Sequence, residues 1–367
     1  MKSRSRRWLI VSVLVITASG AWADQSAPSA YKQQVNRSWE ATAQLLQKQC
    51  SAPPASDEKS ITTFEQQAAG GDAAAQCGLG MMYQSGRSVP QDYTQAVGWY
   101  RKAAEQGNAA GQMHLGDAYR LGHGVSQDYA LALSWCSKAA EQGDAGAQYV
   151  LGRMYGRGQG VPQDYVQAAF WYRKAAEQGY SEAQADLGAL YIEGDGVPQD
   201  YVQAAFWIRK VAGQGDAAAQ LALGGMCASG QGVSQSFTQA VFWWRKAAEQ
   251  GNAKAQFMVG LAYGSGQGVP QDFAQAADWL RKAAEHGDAA AQYSLGGLYY
   301  IGQGVPQDWA EAYFWHDLAA AGKLEDSNAK DATKYRDKAA SHLTPAELSR
   351  EQERARKWFE AHQAKPQ

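Results

Sequence analysis

Ser56 and Lys59 stand at the S-x-x-K spacing that lets a lysine amine activate a serine for acyl transfer. No S-D-N or K-T-G partner accompanies them, and the pair falls in a stretch marked by Pro53-Pro54, so the match reads as coincidence. The six histidines are His114, His123, His286, His316, His342 and His362. None has zinc-like spacing to a cysteine or to another histidine. No G-x-S-x-G, H-E-x-x-H or phosphate-cradling loop occurs. No catalytic residue, metal or cofactor is therefore expected. Four cysteines remain, Cys50, Cys77, Cys136 and Cys227, and which of them can meet depends on the architecture.

That architecture is legible in three columns. Tryptophans recur at Trp99, Trp135, Trp171, Trp207, Trp243, Trp279 and Trp315, always 36 apart. Gly80, Gly116, Gly152, Gly188, Gly224, Gly260 and Gly296 keep the same step, and so do Gly71 to Gly287 of the A-E-Q-G runs. The run VPQDYVQAAFW is identical at Val161–Trp171 and Val197–Trp207. Such a period marks a repeat array rather than several independent domains.

Each copy predicts two helices. In the third, Gly143 stops one helix and Asp144 N-caps the next. Ala147, Leu151, Met154 and Tyr155 form an apolar stripe at helical spacing, with Gly152 beside it to admit a neighbouring helix. The Gly158-Gln159-Gly160 turn ends this helix, and Pro162 bars its continuation. Asp164 and Gln167 have capping-box spacing. The second helix is expected to bury Tyr165, Ala168, Trp171 or Tyr172, and Ala175, leaving Arg173, Lys174 and Glu177 in water. One hairpin cannot bury this face, whereas stacked copies can.

The pattern A-x-A-Q-x-x-L-G-x-x-Y-x-x-G-x-G-V-x-Q-D-Y-x-Q-A-x-x-W-x-R-K-A-A-E-Q-G resembles the Sel1-like repeat, a relative of the tetratricopeptide repeat. The expected fold is all-α, a superhelical α-solenoid of seven helix-turn-helix repeats: 72–107, 108–143, 144–179, 180–215, 216–251, 252–287 and 288–323. Copy five departs most, with Ser234, Ser236 and Cys227 where others carry Pro, Asp and Tyr, which predicts a looser or bent stack there. Residues 24–71 are expected to form an N-terminal helical cap, with a helix at Tyr31–Cys50, a linker at 51–60 and a helix at Ile61–Gly71. Residues 324–367 read as a C-terminal cap of two helices, Ser327–Ser341 and Thr344–His362. Exposed terminal copies need such polar faces.

Residues 1–23 read as a cleaved export signal. Lys2, Arg4, Arg6 and Arg7 precede a short apolar stretch, and Ala21-Trp22-Ala23 suits cleavage after Ala23. Arg6-Arg7 also matches a twin-arginine signal weakly. Removing four positive and no negative charges takes the net charge from −2 to −6, a poor balance for nucleic acid or anionic membrane. A periplasmic or secreted monomer with no transmembrane segment after cleavage is expected.

Cys136 and Cys227 lie three copies apart, with helix layers of roughly 9 Å, beyond the reach of a disulfide. Both are expected to be buried thiols. Cys50 and Cys77 could tie the cap to the first copy or stand as isolated thiols; secreted relatives with a disulfide in each repeat show a pattern this chain lacks.

The resemblance implies that first helices line the concave side. Partner-binding residues are therefore sought among those that vary between copies: His114, Asp117, Tyr149, Arg153, Asp186, Glu193, Phe257, Tyr293 and Tyr300. This patchwork suits a protein or peptide, unless the aromatics merely fill the interhelix groove. Family members look like envelope adaptors, signalling regulators or host-interaction factors, and some have been described as β-lactamase-like. A cell-wall or β-lactam enzyme and a glycan binder are the alternatives. Phe170, Phe206, Phe242 and Phe314, with Val166 and Val202, form a second stripe that either packs between second helices or docks a membrane or partner.

Overall fold

The computed structural model describes residues 58–322, 324 and 326–363. The expected export signal, the helix at Tyr31–Cys50, Ser56 and the Cys50–Cys77 bond lie outside them. Among the described residues there are seventeen α-helices and no strand. Helix α1 (Glu58–Ala69) begins three residues earlier than the expected linker allows.

Seven hairpins follow, each built from two 13-residue helices. They are α2 (Ala73–Ser85) with α3 (Tyr93–Glu105), α4 (Ala109–Leu121) with α5 (Tyr129–Glu141), and α6 (Ala145–Arg157) with α7 (Tyr165–Glu177). Next come α8 (Ser181–Glu193) with α9 (Tyr201–Gly213), and α10 (Ala217–Ser229) with α11 (Phe237–Glu249). The last are α12 (Ala253–Ser265) with α13 (Phe273–Glu285), and α14 (Ala289–Ile301) with α15 (Trp309–Ala321). Helices α16 (Asp326–Ala340) and α17 (Pro345–Gln363) close the chain. The described chain divides into two compact units, residues 58–211 and 212–363. Within each, successive hairpins stack as in an α-solenoid.

The local chemistry is repeated with little variation. Asp144 accepts from the Ala147 amide at 2.7 Å, and Asp164 accepts from the Val166 and Gln167 amides at 2.8 and 3.0 Å. Each cap satisfies donors that a helix start leaves open. Gln163 then folds back, its Nε2 donating to the Gly156 carbonyl near the end of α6 at 2.8 Å, and a glutamine does the same in every hairpin. Gly160 is in the left-handed region at φ 76°, and a Cβ there would lie 2.8 Å from the Tyr129 carbonyl oxygen at the start of α5. The turn of one hairpin thus rests on the second helix of the hairpin before it.

The glycine column sets the packing inside each hairpin. A Cβ on Gly152 would meet the Tyr172 ring at 2.6 Å. Gly80 faces Tyr100, Gly116 faces Cys136, Gly188 faces Ile208, Gly224 faces Trp244, Gly260 faces Leu280 and Gly296 faces His316. The buried member of the second helix is therefore the residue after the tryptophan column. Trp171 and Tyr165 are only half-buried, whereas Tyr172, Ala168 and Ala175 are buried. Arg173, Lys174 and Glu177 are exposed as expected.

A buried glutamine ties each hairpin to the previous one. Gln148 donates to the Ala140 carbonyl at 3.2 Å, and its Oε1 accepts from Gln178 Nε2 at 2.8 Å. Gln178 also reaches the Gly143 carbonyl at 3.0 Å. Gln76, Gln112, Gln220 and Gln256 repeat the first bond, and His286 replaces the second glutamine beside Gln256. Arginines add a further tie between hairpins: Arg173 donates to the Tyr191 hydroxyl at 2.7 Å and Arg101 to that of Tyr119 at 3.1 Å.

Copy five is not loosened. Cys227 is buried, and Ser236 keeps the N-cap conformation with a single 3.3 Å bond from Gln239 N. At the C-terminus, Thr344 and Glu347 bond reciprocally, the capping box expected there.

Candidate functional site

The residues that vary between first helices separate into a buried aromatic set and a more accessible charged set. Phe257 is 0% exposed and Tyr293 2% exposed; Tyr149 and His114 are also buried. These four fill the spaces between helices, which corrects their expected place on an open face. Tyr149, Phe257 and Tyr293 directly follow the buried glutamine, on the side of the first helix that meets its neighbours, and His114, one residue further along, is buried against Tyr100. His114 stacks on Tyr100 at 4.8 Å. Tyr293 packs with Ala319 and Ala332 beneath α16. Tyr300 is half-buried, edge-on to Trp309 and Tyr335 at 5.0 and 5.4 Å, so the C-terminal helices occupy its surroundings.

The charged set lies within residues 58–211. Asp117 is half-buried and pairs with Arg120 at 2.7 Å. Arg153 and Asp186 are half-buried, and Arg157 and Glu193 are exposed. Arg153 lies over the Tyr149 ring, 5.7 Å from its centroid. Asp186 faces Arg153 and Arg157 and accepts hydrogen bonds from the Tyr149 and Tyr172 hydroxyls. Burial pushes its carboxyl up to about 6, against the pull of the two arginines and the two hydroxyls. Desolvation holds Arg157 below the usual guanidinium range, and the neighbouring Arg153 adds to this. Two arginines of α6 thus converge with one carboxylate from α8.

Four expected residues, Asp117, Tyr149, Arg153 and Asp186, belong to this region, Tyr149 as its floor. Glu193 ends α8, and Phe257, Tyr293 and Tyr300 belong to the other unit. Arg157, another of the variable charged positions of the first helices, and Tyr172, which the sequence did not single out as a site residue, complete the cluster. Arg157 is one turn from Arg153 on α6, whereas Tyr172, 19 residues on, reaches the cluster only once the hairpin is closed.

The histidines have structural surroundings. His123 lies against Tyr93, His342 stacks on Trp309 at 4.0 Å and His362 on Trp358 at 3.8 Å. Neither ring nitrogen of buried His316 has a hydrogen-bond partner, and burial pushes its pKa down to about 3. Cys136 is a buried free thiol held in its protonated form by desolvation and then by Asp117. Cys77 is buried in a core cluster with Tyr100 and Leu115. Among the described residues no group of three or more His, Cys, Asp or Glu side chains could hold a metal ion. Among the same residues no helix is long and apolar enough to cross a membrane.

The Sel1 repeat model matches residues 73–108, 109–144, 145–180, 181–216, 217–252, 253–288, 289–323 and 342–361. The last of these falls largely on α17. A Sel1 repeat protein from Oxalobacter formigenes is 32% identical, over 68% of this chain and 98% of its own, with a TM-score of 0.54. A protective antigen of uropathogenic Escherichia coli with the SLR fold is 29% identical, over 93% of this chain and 98% of its own, with a TM-score of 0.48. No curated protein matches the chain.

Proposed function

This chain belongs to the Sel1 repeat family, and on that footing we propose that it is an exported, non-enzymatic scaffold that binds a protein or peptide partner along its first helices. The fold supports a protein-interaction repeat protein. The observation that carries the finer reading is the contrast between columns. Aspartates, glutamines and glycines at constant positions cap, tie and space the helices. Arg153 and Arg157 stand at positions that vary between copies, with Ala189, Gly225 and Gly297 in the place of Arg153, whereas Asp186 also accepts from the Tyr149 and Tyr172 hydroxyls. The three form one largely basic cluster of α6 and α8, half-buried at Arg153 and Asp186 and exposed at Arg157.

A partner that brings a carboxylate to Arg153 and Arg157 fits this cluster. Export to the periplasm or beyond rests on the n-region, apolar stretch and Ala-x-Ala motif of residues 1–23. Envelope assembly, signalling and host interaction are the roles open to such an adaptor.

The test is a crosslinked pull-down from the native envelope with the tagged full chain and with an Arg153→Glu/Arg157→Glu bait. A partner captured by the first and reduced at least about tenfold on the second supports the reading. Identical partners on both baits would remove the site from α6, and turnover by the purified chain would remove the scaffold reading itself.

A further inference from the structure

The second helices carry an apolar feature that the repeat does not need. Phe170 on α7 and Phe206 on α9 are each 47% exposed, with Val166 and Val202 one turn earlier at 61% and 63%. At the corresponding position three other hairpins carry Gly98, Ser134 and Asp278, all exposed, and a fourth carries Phe242, 48% exposed. The hairpin therefore closes equally well without an aromatic there.

One hairpin shows what such a phenylalanine looks like when covered. In α15 the equivalent residue, Phe314, is buried, and Arg354 of α17 lies 3.7 Å over its ring. Arg354 also pairs with Glu311 of α15 at 2.7 Å. The ring poses agree: Phe314 meets Trp315 at 4.9 Å and 71°, Phe206 meets Trp207 at 4.9 Å and 80°. A helix is thus the element that seats on this position, and its charge answers the charge of the repeat.

On α7 and α9 that charge is reversed. Lys174 and Lys210, where α15 has Leu318, sit 4.7 and 4.9 Å from the phenylalanine ring centroids. A groove of about 420 Å³ beside them is lined by Arg173 and Glu177 of α7, Tyr191 of α8, and Asp200, Gln203 and Trp207 at the start of α9; Arg173 bonds the Tyr191 hydroxyl and Asp200 caps α9, so the cations open to a partner are chiefly Lys174 and Lys210. Trp207 is 6% exposed, and its indole N–H is buried without an acceptor. In α15 the same indole N–H, on Trp315, donates to the Glu311 carboxylate at 2.9 Å, and Gln203 stands where that glutamate would be on α9. Unpaired buried donors are uncommon, and this one is closed to solvent beneath the face.

We propose that the α7–α9 face docks an acidic amphipathic helix of a partner protein. Its apolar stripe covers Val166, Phe170, Val202 and Phe206, and its carboxylates meet Lys174, Lys210 and Arg173. This surface is distinct from the first-helix cluster.

The probes are two synthetic helical peptides with the same leucine stripe, one flanked by glutamates and one by lysines, together with phosphatidylglycerol vesicles. Binding to the full-length chain is read by anisotropy. The glutamate peptide is expected to bind at least about tenfold tighter than the lysine peptide. Phe170→Ser/Phe206→Ser is expected to weaken it about tenfold or more, and Lys174→Glu/Lys210→Glu to reverse the preference. Arg153→Glu/Arg157→Glu is expected to leave it unchanged, which separates this face from the first. Equal affinity for both peptides, no binding of either, or binding of vesicles alone would overturn the proposal.

Discussion

His316 occupies a slot that other hairpins fill with Tyr, Cys, Ile, Trp or Leu, and it brings two ring nitrogens with no partner. The unfolded chain binds a proton on this ring below about pH 6.5, whereas the folded chain stays neutral to about 3. Its contribution is thus least harmful above pH 6.5, and stability falls as pH drops from 6.5 towards 3. His316→Leu, which copies Leu280, is expected to stabilise the chain by about 1–3 kcal/mol at pH 7. It should also remove an acid-dependent loss of up to about 1.4 kcal/mol per pH unit; urea unfolding at pH 7 and 4.5 checks both. A second residue-scale strain is Ser88, the non-glycine residue at positive φ (67°) among the described residues. Ser88→Gly is expected to raise stability by at most about 1 kcal/mol, read as a higher urea midpoint at constant m-value. The histidine was not legible in the sequence, because a histidine in a repeat column gives no sign of whether its nitrogens find partners. Ser88 was legible in principle, as the serine in a column that Gly124 to Gly304 otherwise fill.

At the scale of the helix, the spacing of Asp, Gly and Pro located the hairpins well because caps and turns are local events. The rotation of each helix about its axis was less legible. Trp171 and Tyr172 are adjacent, and either could continue an apolar stripe; the contact with Gly152 decides for Tyr172. The same one-residue ambiguity put Tyr149, Phe257 and Tyr293 on an open face when they fill the space between helices. The glycine contacts give a graded test. A Cβ on Gly152 would lie 2.6 Å from the Tyr172 ring, whereas one on Gly188 would lie 3.1 Å from Ile208 Cγ1. Gly152→Ala is expected to cost about 1–3 kcal/mol by overpacking. Gly188→Ala is expected to cost less, because alanine is favoured over glycine within a helix by about 1 kcal/mol. Thermal unfolding of both variants compares them directly, and equal effects would mean that the facing side chain does not set the spacing.

For the molecule as a whole, stability in a repeat array is close to a sum of hairpins and their interfaces. The buried glutamines and the arginine–tyrosine bonds supply polar ties across those interfaces, so the remaining exposed positions are free to differ from copy to copy. That division is what makes Arg153, Arg157 and Asp186 informative, and it was partly visible in the sequence as variation within a constant frame. The approach of Tyr172 and Arg157 to Asp186 was not, since it depends on how α6, α7 and α8 pack. The central claim, that this charged cluster of first helices receives a protein, is tested most directly by site-specific photocrosslinking. A benzophenone side chain is placed in the full chain at Arg157, and in a control at Glu105, exposed at the end of α3. Irradiation in the native envelope is expected to give a discrete protein adduct from position 157 and none from position 105. An adduct from position 105 alone, or none from either, would contradict the account.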